Sequence, residues 1–152
     1  MCGIVGITSS KEVTSRIIGS LKKLEYRGYD SAGIATISEN NINEVKCEGR
    51  VNELEKNVNQ IKLSGTIGIG HVRWATHGKP STINAHPHSS DNVSVVHNGI
   101  IENSTILKKI LENKGYKFKS QTDTEAIVHL VTDYLKKNNL KDTIIKVLKK
   151  LH

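Results

Sequence analysis

Aromatic side chains are scarce in this sequence, which holds one tryptophan, one phenylalanine and four tyrosines in 152 residues. Arginine is scarce too: only Arg16, Arg27, Arg50 and Arg73 contribute to the 22 cationic residues. A formal charge of +7 with so few rings to stack on bases and so few guanidinium forks is a weak nucleic-acid footprint, and no nucleic-acid partner is expected. Much of the excess lies in "LKKNNLKDTIIKVLKKLH", where Lys136, Lys137, Lys141, Lys146, Lys149 and Lys150 flank an apolar stripe through Leu140, Ile144, Leu148 and Leu151. That pattern predicts an amphipathic helix with a solvated basic face. No run approaches the ~20 apolar residues of a membrane span, so no membrane partner is expected. The start has neither the basic nor the apolar region of a secretory signal, which makes a cytoplasmic setting the expectation. Two cysteines are too few for a disulfide framework, and Cys2 and Cys47 are expected to remain thiols.

What is present alternates between strand and helix patterns, at a length that fits one domain over residues 1–152. "CGIVGIT" reads as a buried strand, and Ser9 with Glu12 as a capping box opening a helix with Val13, Ile17, Leu21 and Leu24 on its apolar face. "EYRGYD" is a turn. "SAGIATIS" and "INEVKCEGR" read as a hairpin through the polar turn "ENN", with Cys47 as strand packing, before a helix with Val51, Leu54, Val58 and Ile61 on one side. "GTIGIGHVRW" is a glycine-rich strand, "ATHGKPSTINAHPHSSDN" a long loop holding both prolines, and "VSVVHNGII" another strand. Asn103 and Gly115 bracket one further helix, and Thr122 with Glu125 forms a second capping box.

Several polar residues interrupt this apolar scaffold. Arg73 ends a strand, Thr76 and His77 follow it in the loop, "HNG" at 97–99 breaks an apolar run, and Asp123 stands in the first turn of a helix. Each has a structural explanation alone: a surface charge, a tight turn, a partner for the helix dipole. His86, His88 and His97 read as hydrogen-bonded structural histidines, and "HPH" has no cysteine or acidic partner at metal-ligand spacing, so neither metal nor cofactor is expected. Cys2 has two readings. It is a small hydrophobe beginning a strand, or, once an aminopeptidase removes Met1, a first residue whose thiol and α-amine (pKa roughly 7.7 to 8.0) supply nucleophile and base together.

Taken in order and spacing, "CGIVGI", "LEYRGYDSAGI", "HVRWATHG", "NAHPH", "VVHNGIIEN" and "TDTE" resemble the glutaminase domains of the glutamine–fructose-6-phosphate aminotransferases. These are class II glutamine amidotransferases of the N-terminal nucleophile hydrolase superfamily. The resemblance implies an α+β, four-layer αββα sandwich and hydrolysis of glutamine to glutamate and ammonia through a Cys2 thioester. It implies Asn98 and Gly99 as oxyanion donors, Arg73 with Thr76 and His77 on the glutamine α-carboxylate, and Asp123 on its α-ammonium. Trp74 would belong to a closing loop, and Arg27 would support the nucleophile.

The chain departs from the family pattern in length. In the family the domain runs beyond the position matching His152 into strands of the second sheet, and two sugar isomerase domains follow. The sandwich is therefore expected to be incomplete at its C-terminal end. Two readings follow: a glutamine-hydrolysing enzyme, or a partner-dependent fragment that binds glutamine or a second chain, one supplying the missing strands and isomerase domains, without turnover.

Overall fold

The computed structural model describes residues 2–74 and 79–152, with the backbone alone at Arg27. Strand β1, Gly3–Thr8, is followed by helix α1, Thr14–Leu24, and a 3₁₀ turn at Glu25–Arg27. The hairpin β2, Ser31–Ser38, and β3, Asn41–Glu48, leads into α2, Val51–Ile61, and β4, Ile67–Arg73. Two short strands, β5, His88–Ser90, and β6, Val93–Val95, precede α3, Ser104–Asn113, α4, Thr124–Leu135, and α5, Leu140–Leu148.

The first four strands form one antiparallel sheet in the order β1-β4-β2-β3. Period-two alternation gives it two distinct faces. One face carries Val5, Ile7, Ala32, Ile34, Val45, Cys47 and Val72 and packs on Val13, Ile17, Leu21, Val51, Leu54 and Val58 of the first two helices. Gly68 and Gly70 let α1 lie close to β4, since a Cβ at either would stand 2.7 or 2.6 Å from Ile17. The opposite face turns His71 and Arg73 towards a second layer, the two-stranded β5-β6 sheet with α4 against it. Behind that, Leu107, Leu111, Ile127, Leu130, Val131 and Val147 form a second core between α3, α4 and α5. The layers run helix, sheet, sheet, helix, and the second sheet has two strands among the described residues.

Local sequence chemistry accounts for most boundaries. The β2-β3 loop is Glu39-Asn40, both at positive φ (50° and 63°), the type I′ geometry whose twist matches a two-residue hairpin. Gly115, at φ 90°, ends α3 as expected. Several expectations are corrected. The Ser9–Glu12 capping box is absent: Ser9 Oγ accepts from Lys11 N, α1 begins at Thr14, and Glu12 accepts from Thr14 N. The strand expected over 93–101 stops at Val95, because the backbone beyond it bonds to β4 and α4. The long loop contains β5. Ile61 lies outside the core at 59% exposure. On α5 the residues turned inward are Thr143 and Val147, while Leu140, Ile144 and Leu148 face out, so the basic residues do not flank a buried stripe.

Candidate active site

Antiparallel register places the first candidate residues together. Gly3 pairs with Val72, so Cys2, one step earlier, lies beside the end of β4, and Ser31 of β2 pairs with Arg73 from the other side. One end of the sheet thus brings Cys2, Arg73 and Asp30 into a row. Among the described residues the thiol is held by Trp74: Cys2 Sγ accepts from Trp74 N at 3.3 Å and lies 3.7 Å from Trp74 O. Asn98 closes over it from 96 residues away, its Nδ2 donating to Cys2 O at 3.2 Å. An amide nitrogen carries two hydrogens, so the second is left for another acceptor in the pocket.

The segment carrying Asn98 and Gly99 is fastened on two sides. His71 Nε2 lies 3.2 Å from His97 O, and Asp123 Oδ2 accepts from Ile101 N at 2.7 Å. His97 Nδ1 lies 3.3 Å from Thr124 Oγ1 at the start of α4. Gly99 lies under the His97 ring: a Cβ there would stand 2.7 Å from His97 Nε2, so the ring would have to shift. Between these elements is a cavity of about 240 Å³, lined by Cys2, Arg73, Trp74, Asn98, Gly99 and Asp123 together with His86, His97, Ile100, Thr122 and Thr124. It is smaller than the roughly 300 to 1,000 Å³ of drug-sized sites, the scale of a small metabolite.

Arg73 is nearly fully buried, with Nη1 3.9 Å from Asp30 Oδ1, and Asp30 also accepts from Ser31 Oγ. Asp30 was not singled out from sequence; its signal lay in the turn "EYRGYD", beside the strand that pairs with β4. Trp74 is half exposed at the cavity mouth. Thr76, His77, Met1 and the Arg27 side chain lie outside the described residues. Cys47 stands apart from the cavity on the helix-facing side of β3, where burial pushes its thiol pKa up.

Below the cavity runs a buried histidine cluster, in which His86 and His88, read from sequence as structural, are joined by His71, on which the sequence carried no reading. His71 and His86 rings approach to 4.3 Å and those of His86 and His88 to 4.8 Å, with His86 Nδ1 3.2 Å from His71 Nε2. His88 Nε2 lies 2.8 Å from Thr122 Oγ1. Burial lowers the pKa of all three, His71 to about 4 and His88 to about 3, so the cluster is neutral at physiological pH. Gly33 makes the arrangement possible, because a Cβ there would stand 2.1 Å from His86 O where the loop crosses the sheet. Beside the cluster, Glu125 is buried yet held at about 2: burial opposes its ionisation, but the His129 ring, with Nε2 3.6 Å from Oε1, and hydrogen bonds from the Ser120 hydroxyl and the Lys119 and Ser120 N–H groups outweigh that.

Comparison with known proteins bears on what this arrangement is. A glutamine amidotransferase domain family model matches residues 71–150. The chain is 56% identical over 153 aligned positions to a protein of Clostridium acetobutylicum named glutamine–fructose-6-phosphate aminotransferase (isomerizing), covering 99% of this chain and 25% of that protein. A protein of the same name from Francisella tularensis is 60% identical over 133 positions, covering 86% of this chain and 22% of its own. The chain therefore spans about a quarter of the length of these curated relatives. Among solved structures, glutamine phosphoribosylpyrophosphate amidotransferase of B. subtilis matches with a TM-score of 0.76 at 33% identity, over 99% of this chain and 32% of that one. These likenesses bear out the α+β fold of the N-terminal nucleophile amidotransferases, and with a family model matched over more than half its length the chain belongs to the glutamine amidotransferase domain family.

Proposed function

We propose that these residues form a glutaminase site in which Cys2, freed of Met1, attacks the side-chain amide carbon of glutamine. The thiol proton passes to the Cys2 α-amine as the S–C bond forms, and the amine returns a proton to the leaving nitrogen as the C–N bond breaks. Ammonia departs and a glutamyl thioester remains. Water, activated by the same amine, attacks the thioester, and glutamate leaves with the thiol restored. The tetrahedral oxyanion of each half-reaction needs donors fixed in advance, a role suited to the second Asn98 Nδ2 hydrogen and the Gly99 N–H. Arg73, with Thr76 and His77, holds the α-carboxylate, Asp123 holds the α-ammonium, Trp74 closes over the ligand and Arg27 supports the nucleophile.

The observation that carries this reading is the 3.2 Å contact of Asn98 Nδ2 with the backbone of Cys2, in one small cavity with Arg73 and Asp123. By analogy with the named relatives, the ammonia feeds amination of fructose 6-phosphate to glucosamine 6-phosphate by isomerase domains beyond these 152 residues. The test is labelling by the glutamine-mimicking electrophile 6-diazo-5-oxo-L-norleucine followed by peptide mass spectrometry. Modification of Cys2, protected by glutamine, with Cys47 spared is the expected result. Equal labelling of both thiols, or retention of Met1 in active material, would overturn the proposal.

A second reading, a partner-dependent chain that binds glutamine without turnover, is favoured by one feature. A groove of about 380 Å³ lies between the sheet and the second layer, lined by Ile37, Ile42, Ile67, Val93, Leu140 and Ile144. Glutamine binding by calorimetry without ammonia release would select it.

A further inference from the structure

His71 is fully buried on β4, on the face that also carries Arg73, and takes no part in the chemistry described above. Its Nε2 lies 3.2 Å from His97 O and 3.2 Å from His86 Nδ1, while its Nδ1 has no hydrogen-bond partner among the described residues. A carbonyl oxygen can only accept, so the proton of the neutral ring belongs on Nε2, and the bare nitrogen is Nδ1. The alternative tautomer would set the Nε2 lone pair against the His97 carbonyl. His86 Nδ1 then accepts as well, which places the His86 proton on its own Nε2. Leaving one buried ring nitrogen unpaired opposes stability, and an apolar side chain would avoid it. What the histidine adds is a donor aimed at the backbone directly before Asn98.

That bond has leverage on the oxyanion donors. His97 O is the acceptor through which β4 reaches the 97–101 segment, and the His97 ring in turn covers Gly99, where a Cβ would meet Nε2 at 2.7 Å, and reaches Thr124 through Nδ1 at 3.3 Å. Asp123 fixes the far end of the same segment at Ile101 N. Released at His97 O, the segment would still be tied to α4 but no longer to the strand that ends beside Cys2. Building on the glutaminase reading, we propose that His71 is a positioning residue whose Nε2–H, donated to the His97 carbonyl, sets the height of the Asn98 and Gly99 donors relative to Cys2.

The test compares His71→Leu, which removes the donor, with His71→Gln, whose side-chain nitrogen falls near the position of Nε2. The readouts are glutaminase kcat and KM, measured with a polypeptide carrying the relatives' following strands present, thermal midpoint, and hydrogen exchange of the 98–101 backbone amides. The Leu variant is expected to lose about 10- to 100-fold in kcat with KM little changed, and to exchange faster at 98–101 than the rest of the fold. The Gln variant is expected to recover most of both. Equal losses in the two variants that follow the thermal midpoint would make His71 a packing residue and overturn the proposal, as would wild-type kcat and exchange in the Leu variant. Failure of the glutaminase reading would show separately, as wild-type protein that, with that polypeptide present, releases no more ammonia than Cys2→Ala; the exchange comparison then decides the role of His71 by itself.

Discussion

At the scale of single residues, buried titratable groups around the site tie its stability to pH. His71 and His88, ordinarily at 6.5, are lowered to about 4 and about 3 by burial. Below pH 6.5 the unfolded chain takes up these protons while the folded chain refuses them, so stability falls as pH drops from 6.5 towards 4 and 3. Each ring contributes a slope of about 1.4 kcal/mol per pH unit inside its window. Glu125 has the usual carboxylate sign: held at about 2 against 4.5, it stabilises the fold above pH 4.5 and that contribution is lost between 4.5 and 2. Thermal unfolding followed from pH 7.5 to 4.5 should show a midpoint that begins to fall near 6.5; a flat profile to pH 5 would mean the rings are not held neutral. For the oxyanion donors the expectation is kinetic. Asn98→Ala should lower kcat by about 10²- to 10³-fold, the usual cost of one such donor. A variant within threefold of wild type in steady-state ammonia release would remove Asn98 from that role.

At the scale of elements, the architecture depends on glycines where one layer crosses another. Gly33→Ala would drive a Cβ to 2.1 Å from the backbone oxygen of His86, a contact no side-chain rotation relieves. Overpacking ordinarily costs about 1 to 3 kcal/mol, and a backbone obstacle puts this substitution at the upper end or beyond. Chemical denaturation should show it, with Gly6→Ala, whose nearest contact is 3.9 Å, nearly silent as the control. Equal stability of the two variants would contradict the crossing. Sequence patterning reached these elements unevenly. The β2 strand and its turn were legible because alternation and turn chemistry are local, and SAGIATIS forms a strand over those same residues. The early end of β6 was not, since "VSVVHNGII" is apolar enough for a strand and only tertiary bonds from His71 and Asp123 pull it away. Capping was misjudged for a related reason. Asp123 stands at the N-cap of α4 but spends a carboxylate oxygen on Ile101 N, and α2 is capped by Glu25 from the 3₁₀ turn after α1, whose Oε1 accepts from Val51 N at 2.7 Å. A local side-chain cap does stand at α5, where Asn139 Oδ1 accepts from Asp142 N. Of the candidate site, Cys2, Arg73, Asn98, Gly99 and Asp123 were legible through the family resemblance that their motifs carry, whereas the contacts of the histidine cluster beneath them are tertiary and leave no local pattern.

At the scale of the whole molecule, the helix-facing side of the four-stranded sheet is well covered and the other side is covered only at the end that carries His71 and Arg73. Ile37 and Ile67 remain more than a third exposed above a groove that continues to Leu140 and Ile144 on α5. Of the apolar stripe that the sequence presents at α5, Leu140 and Ile144 face this opening, while Leu151 packs beside the second core. We expect the groove to be covered by strands from a further polypeptide segment, and the site to need that cover to hold its groups to the ~0.5 Å tolerance of a preorganised centre. Turnover by the 152 residues alone should accordingly be very low and rise by orders of magnitude when a polypeptide carrying the relatives' following strands is added; family-like turnover without it would show that the open groove does not limit the site. The central claim, that Cys2 is the nucleophile of a glutamine-hydrolysing centre, is tested most directly by ammonia release from glutamine, measured side by side for the wild-type chain and Cys2→Ala, each with that polypeptide present. Release by the wild type that disappears in Cys2→Ala is the predicted result. Equal release by the two proteins would contradict it.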